Sequence, residues 1–183
     1  MTLYCMDDFP RRTLEQEIDT FLHAYPQDKE RLQPLLQALA SGENLFSRKR
    51  FTGHVTASAI ILQKGYVLAI SHPGTGLSLP PGGHIEPSET PLDAAIRETR
   101  EETGFEAVAK RSQEIPTPLI DIDIHWIPAS AKKAEPEHPH FDLRYALQVN
   151  SLSPTTKAEL AYSWIEANSM RASGLERTLA RMS

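Results

Sequence analysis

The chain has 183 residues, 40% of them hydrophobic and 23% charged, with a formal net charge of −5, a composition that suits one globular domain of ordinary size with some extra. The acidic balance argues against a basic nucleic-acid surface, and the single cysteine, Cys5, excludes an intramolecular disulfide and argues against a cysteine zinc site. The opening MTLYCMDDFPRR has two early aspartates and no apolar run, and no segment reaches the roughly 18 apolar residues of a membrane span; a cytoplasmic protein without membrane contact is therefore the expectation.

From Thr13, the apolar positions Leu14, Ile18, Phe21, Leu22 and Tyr25 keep helical spacing until Pro26. A second run carries Leu32, Leu35, Leu36 and Leu39 and stops at Gly42, with Pro34 expected to kink that helix or delay its start. The two form a helical hairpin over residues 1–50, outside a main domain at 51–183. Its apolar stripe is expected to cover that domain, with a homodimer contact as the alternative.

The pattern changes near Phe51. HVTASAIILQ is apolar and rich in β-branched residues, Lys64–Gly65 is a turn, and YVLAISH returns as a second strand. HPGTG reads as a loop and LSL as a short strand leading into Pro80–Pro81–Gly82–Gly83. Farther on, FEAVAKRSQ suits a strand. LIDIDIHWI alternates, with Ile120, Ile122, Ile124 and Trp126 on one face and Asp121, Asp123 and His125 on the other. HFDLRYALQV alternates too: Phe141, Leu143, Tyr145, Leu147 and Val149 oppose His140, Asp142, Arg144 and Gln148. The polar segment from Pro128 to Pro139 is the loop between them. LAYSWI is a last short strand, and Leu175, Leu179 and Met182 mark a closing helix after Gly174. Strands and helices mix without strict alternation, which indicates an α/β or α+β sandwich with a mixed sheet.

One helix stands out. Thr90 is a good N-cap, Pro91 suits the first helical position, Asp93 lies three residues after the cap, and Gly104 falls where a left-handed C-cap belongs. Leu92, Ala95, Ile96, Thr99 and Thr103 make its buried stripe. Glu98, Glu101 and Glu102, spaced i, i+3, i+4, share another face, where like charges repel unless something positive joins them. Three carboxylates beside a glycine-rich loop suit a hard, oxygen-seeking cation such as Mg²⁺ or Mn²⁺, and a nearby glutamate can take a proton from an attacking water. The bland reading is a solvated acidic helix face.

The full spacing argues against the bland reading. Gly83, five residues, Glu89, seven residues, Arg97–Glu98, then Glu101–Glu102 and Gly104–Phe105 resembles the Nudix box of the Nudix hydrolases, Gly-x5-Glu-x7-Arg-Glu-U-x-Glu-Glu-x-Gly-U, where U is bulky and apolar. Thr99 at the first U is the one departure. The strands before and after the box, and the late strand with Trp164, match that family's α/β/α sandwich over roughly residues 52–170. The resemblance implies Glu98 and Glu102 as metal ligands, Glu101 as a ligand or proton acceptor, and the Gly82 carbonyl as a further ligand. It implies that Arg97 orients a glutamate and that Glu89 pairs with Arg97 or reaches metal through water.

Seven histidines are many for this length. His84, in the box loop, lies where a phosphate would sit. If the polar faces of the two alternating strands line the same cleft, then His140, Asp142 and Arg144 bind substrate phosphate, or His138, His140 and Asp142 bind a second metal; the ordinary reading is the wet face of an antiparallel sheet. Trp126 and Trp164 read as core residues, and Glu135 and Glu137 as loop carboxylates available as outside bases. By the resemblance, the substrate is a small molecule with a diphosphate linked to another group, of nucleotide type; capped RNA fits the net charge less well. A catalytically silent ligand-sensing module is the alternative, disfavoured because Glu89, Arg97, Glu98, Glu101 and Glu102 are all present. Isomerisation of isopentenyl diphosphate relies on an active-site cysteine, and Cys5 precedes the domain.

Overall fold

The computed structural model describes residues 9–112, 115, 117–151, 153–170 and 174–182; Cys5 lies outside them. Two helices open the chain, α1 (Phe9–Ala24) and α2 (Gln33–Ala40), and Pro34 sits in the first turn of α2, where its missing N–H costs nothing. It therefore delays the helix start and does not kink it. Among the described residues nine strands follow: β1 (His54–Ile60), β2 (Leu62–Gln63), β3 (Tyr66–Ser71), β4 (Ser78–Leu79), β5 (Gly82–His84), β6 (Ala107–Ala109), β7 (Leu119–Ile127), β8 (His138–Val149) and β9 (Tyr162–Glu166). Helix α3 (Pro91–Thr103) lies between β5 and β6, and α4 (Leu175–Ala180) closes the described chain.

One sheet runs β5-β1-β8, with β7 and β6 following one another along the far edge of β8; β1 and β8 are parallel and the other pairs antiparallel. The second sheet has β3 between β9 on one side and β2 and β4 on the other. The segment read as one strand, HVTASAIILQ, serves both sheets. It breaks at Ile61, so β1 joins the first and β2 pairs with β3 in the second. The result is a mixed-sheet α+β architecture with an N-terminal helical region.

The first sheet has one apolar and one polar face. Val55, Ala57, Phe141, Leu143, Tyr145 and Ile122 join Ala94 and Ala95 of α3 in the main core. Leu14, Ile18 and Phe21 of α1, together with Leu32 and Leu35, belong to the same cluster, so the N-terminal stripe does cover the main domain. Tyr145 Oη donates to Glu17 Oε2 at 2.7 Å, tying α1 to the central strand. A bulge between Leu119 and Asp121 breaks the two-residue period of β7. Leu119 and Ile122 consequently face the main core, while Ile120 joins a second cluster with Ile60, Val67, Leu175 and Met182.

The opposite face of this sheet is not wet. Asp121, Asp123, Asp142 and Arg144 are all buried. Arg144 donates to Asp123 and Asp142 at 3.2 Å each and to Thr178 of α4 at 3.1 Å. Asp121 accepts from Arg177 at 2.9 and 3.0 Å, Arg181 at 2.7 Å and Thr178 at 2.7 Å. Arg181 also reaches Asp28, and its guanidinium lies 4.2 Å from the Tyr25 ring centroid. Helix α4 thus seals the polar face with cations, and Trp126, expected in the core, is 63% exposed near the far end of β7.

Asp121 is the acceptor on which these cations converge. Asp121→Ala is expected to lower stability in urea unfolding by about 1.5–3 kcal/mol, because it removes the buried charged acceptor shared by Arg177, Arg181 and Thr178, although Arg177 keeps Asp123 and Arg181 keeps Asp28; a loss below about 1 kcal/mol would contradict this role.

Candidate functional site

Helix α3 is held at both ends by its own sequence. Thr90 Oγ1 accepts from the Asp93 N–H at 3.2 Å, and Asp93 Oδ2 accepts from the Thr90 N–H at 3.4 Å, a reciprocal capping box. Gly104 has φ 75° and donates its N–H to the Arg100 carbonyl; a Cβ there would collide with the Thr156 carbonyl. The 155–160 segment then satisfies the open carbonyls of the last turn: Glu159 N–H donates to Glu101 O at 2.9 Å and Leu160 N–H to Glu102 O at 3.1 Å. Thr99, at the position where a bulky apolar residue was expected, is fully buried and donates its hydroxyl to Ala95 O at 2.7 Å. It packs as a small core residue without an orphaned hydroxyl.

Arg97 gathers the site. Its Nε and Nη2 reach the two oxygens of Glu89 at 2.9 and 3.0 Å, and Nη1 donates to Glu98 Oε1 and Glu101 Oε2, each at 2.9 Å. Nη2 also donates to the His84 carbonyl at 3.0 Å. One guanidinium therefore binds the loop to the helix. The glycines make this possible sterically: a Cβ on Gly83 would collide with the Glu98 carboxylate, and one on Gly82 with the Ala57 carbonyl of β1.

Glu102 is outside this clamp. Its Oε2 accepts the Gly82 N–H at 3.0 Å, which ties the box loop to this carboxylate. Burial pushes the Glu102 carboxyl up to about 7, with Glu98, Glu159 and Glu101 adding to the rise against the Gly82 hydrogen bond. Burial also raises Glu98, against the pull of Arg97. Glu101 is the most open of the three, with 45% of its side chain exposed against 16% for Glu98. The donor set is all oxygen and carries charge that a single arginine does not balance. It fits a hard divalent cation.

The histidines assemble where β5, β1, β8 and β7 lie side by side. Cross-strand register sets His54 beside His140 and His140 beside His125. His84 Nε2 lies 3.1 Å from His54 Nε2, and His138 stacks on His54 with ring centroids 5.2 Å apart. Burial drives His84 down to about 4, helped by Arg48 and the neighbouring rings, and His140 to about 2, helped by the neighbouring rings. Of the residues proposed to line one cleft, His84 and His140 meet in this cluster, with ring centroids 5.5 Å apart. Asp142 and Arg144 belong to the buried ionic network. Asp142 accepts from Thr56 and Ser58 at 3.1 and 2.7 Å as well as from Arg144. His54 was not foreseen as a cluster member, since its place depends on the parallel pairing of β1 with β8.

A cleft of about 1110 Å³ opens beside the box loop, between the start of α1, residues 42–48 and residues 85–89. Glu89 and Glu86 line it from the box side, and Arg12 and Arg48 from the N-terminal side. The start of α1 and the segment after α2, both outside the main domain at 51–183, thus wall this cleft.

The NUDIX domain pattern matches residues 52–173, about two thirds of the chain. The chain belongs to the Nudix family. Among its relatives is a probable DHNTP pyrophosphohydrolase of Lactococcus lactis subsp. cremoris, 35% identical over 136 residues that span 74% of this chain and 76% of that protein. The phosphatase NudJ of Shigella boydii is 29% identical over 136 residues, 70% of this chain and 79% of the other. A NUDIX hydrolase from Nitrosomonas europaea shares the fold, with a TM-score of 0.52 and 21% identity over 70% of this chain and 86% of that one. The protein is a Nudix-type hydrolase. Among the described residues, no helix of this Nudix protein is long and apolar enough to cross a membrane.

A carboxyl whose folded pKa exceeds its ordinary 4.5 favours folding when protonated. The Glu102 contribution is therefore full below about 4.5 and lost as pH rises through about 7. In metal-free protein, Glu102→Gln is expected to raise Tm at pH 8 and to leave it unchanged at pH 4.5, as read by thermal melts in chelator. A lower Tm at pH 8 would contradict the buried, unbalanced charge.

Proposed function

We propose that this Nudix protein hydrolyses the phosphoanhydride of a small nucleotide-type substrate, with Mg²⁺ or Mn²⁺ held by Glu98 and Glu102 and joined by Glu101. The observation that carries the reading is the unbalanced carboxylate ridge, above all Glu102, which is half-buried, raised to about 7 and beyond the hydrogen-bonding reach of Arg97. When bound, such an ion neutralises phosphate charge and acidifies its water. The protein's own residues supply the rest. Arg97 fixes Glu98 and Glu101 relative to the box loop, and the glycines let that loop's backbone approach a phosphate.

Water attacks phosphorus, a new O–P bond forms as the bridging P–O bond breaks, and the leaving phosphate or nucleotide departs as the anion. Glu101, the most exposed glutamate of the ridge, accepts the water's proton. The base or sugar of the substrate lies in the cleft between the box loop, the start of α1 and residues 42–48, with Arg12 and Arg48 on its wall. The L. lactis relative, a probable DHNTP pyrophosphohydrolase, supports DHNTP as a candidate substrate.

Phosphate and pyrophosphate release would be followed over DHNTP, nucleoside triphosphates, nucleotide sugars and dinucleoside polyphosphates with Mg²⁺, Mn²⁺ or chelator. Turnover of at least one class is expected with metal, together with its loss in chelator and a fall of roughly a hundredfold or more in Glu102→Gln. Turnover that survives chelator, or an unaffected Glu102→Gln, would overturn the assignment.

A further inference from the structure

We propose that His54, His138 and His140 form a second metal site, separate from the carboxylate ridge and selective for a borderline transition-metal cation of the Zn²⁺ class. Among the described residues, these three are the group whose ligand atoms all lie within 4.8 Å of one another. The box glutamates do not converge in this way, since Glu98 and Glu101 turn to Arg97 and Glu102 turns to Gly82. The two sites also differ in chemistry. Imidazole nitrogens suit Zn²⁺ and its neighbours, whereas carboxylate oxygens suit Mg²⁺ and Mn²⁺.

The second observation is how the rings are anchored. His138 Nδ1 lies 2.8 Å from the Pro136 carbonyl and His54 Nδ1 lies 3.4 Å from the Arg50 carbonyl. A carbonyl only accepts, so each Nδ1 carries the proton and each Nε2 presents a lone pair. This is the arrangement by which backbone carbonyls orient metal-ligating histidines. His54 and His138 are buried, so their rings have little freedom to swing away. Gly53 contributes to this placement: it has φ 117°, and a Cβ on it would meet the Phe141 ring at 2.7 Å, so a larger residue could not bring His54 to this position.

Three histidines leave one position open on a tetrahedral ion. His84 Nε2, now 3.1 Å from His54 Nε2, is the side chain placed to fill it or to bond a ligand there. Nitrogens around Zn²⁺ stand about 3.3 Å apart, given Zn–N bonds of about 2.0–2.1 Å, so closing the cluster onto an ion takes only small ring movements.

The test is titration of chelator-stripped full-length protein with Co²⁺, read by the intense visible bands of four-coordinate cobalt. A band saturating near one equivalent is expected in the wild type and in the Glu98→Gln/Glu102→Gln double variant. His140→Gln and His138→Gln should each weaken Co²⁺ binding by at least the roughly tenfold to hundredfold that even an outer-shell change costs. No band, a band lost in the carboxylate double variant, or wild-type affinity in both histidine variants would overturn the proposal. Should the histidine variants not fold, zinc X-ray absorption on the carboxylate double variant with one equivalent of Zn²⁺ decides independently: imidazole scattering supports the site, and an oxygen-only shell overturns it.

Discussion

A single guanidinium organises the carboxylate ridge of this protein. Glu98, Glu101 and Glu102 share a face of α3, and like charges at that spacing repel. Arg97 offsets part of the repulsion by taking Glu98 and Glu101 on one nitrogen, while its other nitrogens take Glu89 and the His84 carbonyl. Its planar fork of donors suits this task, and a lysine, with one charged point, could not hold loop and helix together in the same geometry. The clamp leaves Glu102 unbalanced. The site therefore has its framework fixed by arginine and its remaining negative charge concentrated beside the Gly82–Gly83 backbone, where a divalent ion and a phosphate would meet.

The rest of the fold serves to hold that helix and loop in place. Strand β5, which carries Gly82, Gly83 and His84, pairs with β1, and β1 pairs with β8 at the centre of the sheet. The apolar face of that sheet packs on α3 and α1. Its polar face is closed by α4 through Asp121, Asp123 and Arg144. Both faces are covered, by different physics: dispersion and apolar burial on one side, paired buried charge on the other. Such charge is costly to bury and costly to break, which favours one specific docking of the closing helix.

Much of the site was legible in the sequence because it is local. Cap, stripe, C-cap glycine and carboxylate ridge all lie within residues 90–104, where helical periodicity and capping chemistry speak directly, and α3 formed as expected. The strands of the sheets were legible for the same reason. What could not be read depends on distant pairings. Alternation correctly separated the two faces of β8, but it could not say that α4 and Arg181 would cover the polar one, so Arg144 and Asp142 appeared free for substrate. The bulge at Leu119/Asp121 shifted the facing of Ile120, and no sequence signal marks it. Trp126 followed the alternation of β7 yet lies near the end of that strand, beyond the packed sheet. The histidine cluster needed the parallel β1–β8 register to bring His54 to His140.

The central claim is that the carboxylate ridge, steadied by Arg97, holds a divalent cation. It is tested most directly by titrating Mn²⁺ into the stripped protein and counting free ion by electron paramagnetic resonance, in the wild type and in Glu98→Gln and Glu102→Gln. Mn²⁺ binding in the wild type that weakens at least about tenfold in each variant is expected. Equal affinity in all three proteins, or no binding in any, would contradict a cation on this ridge.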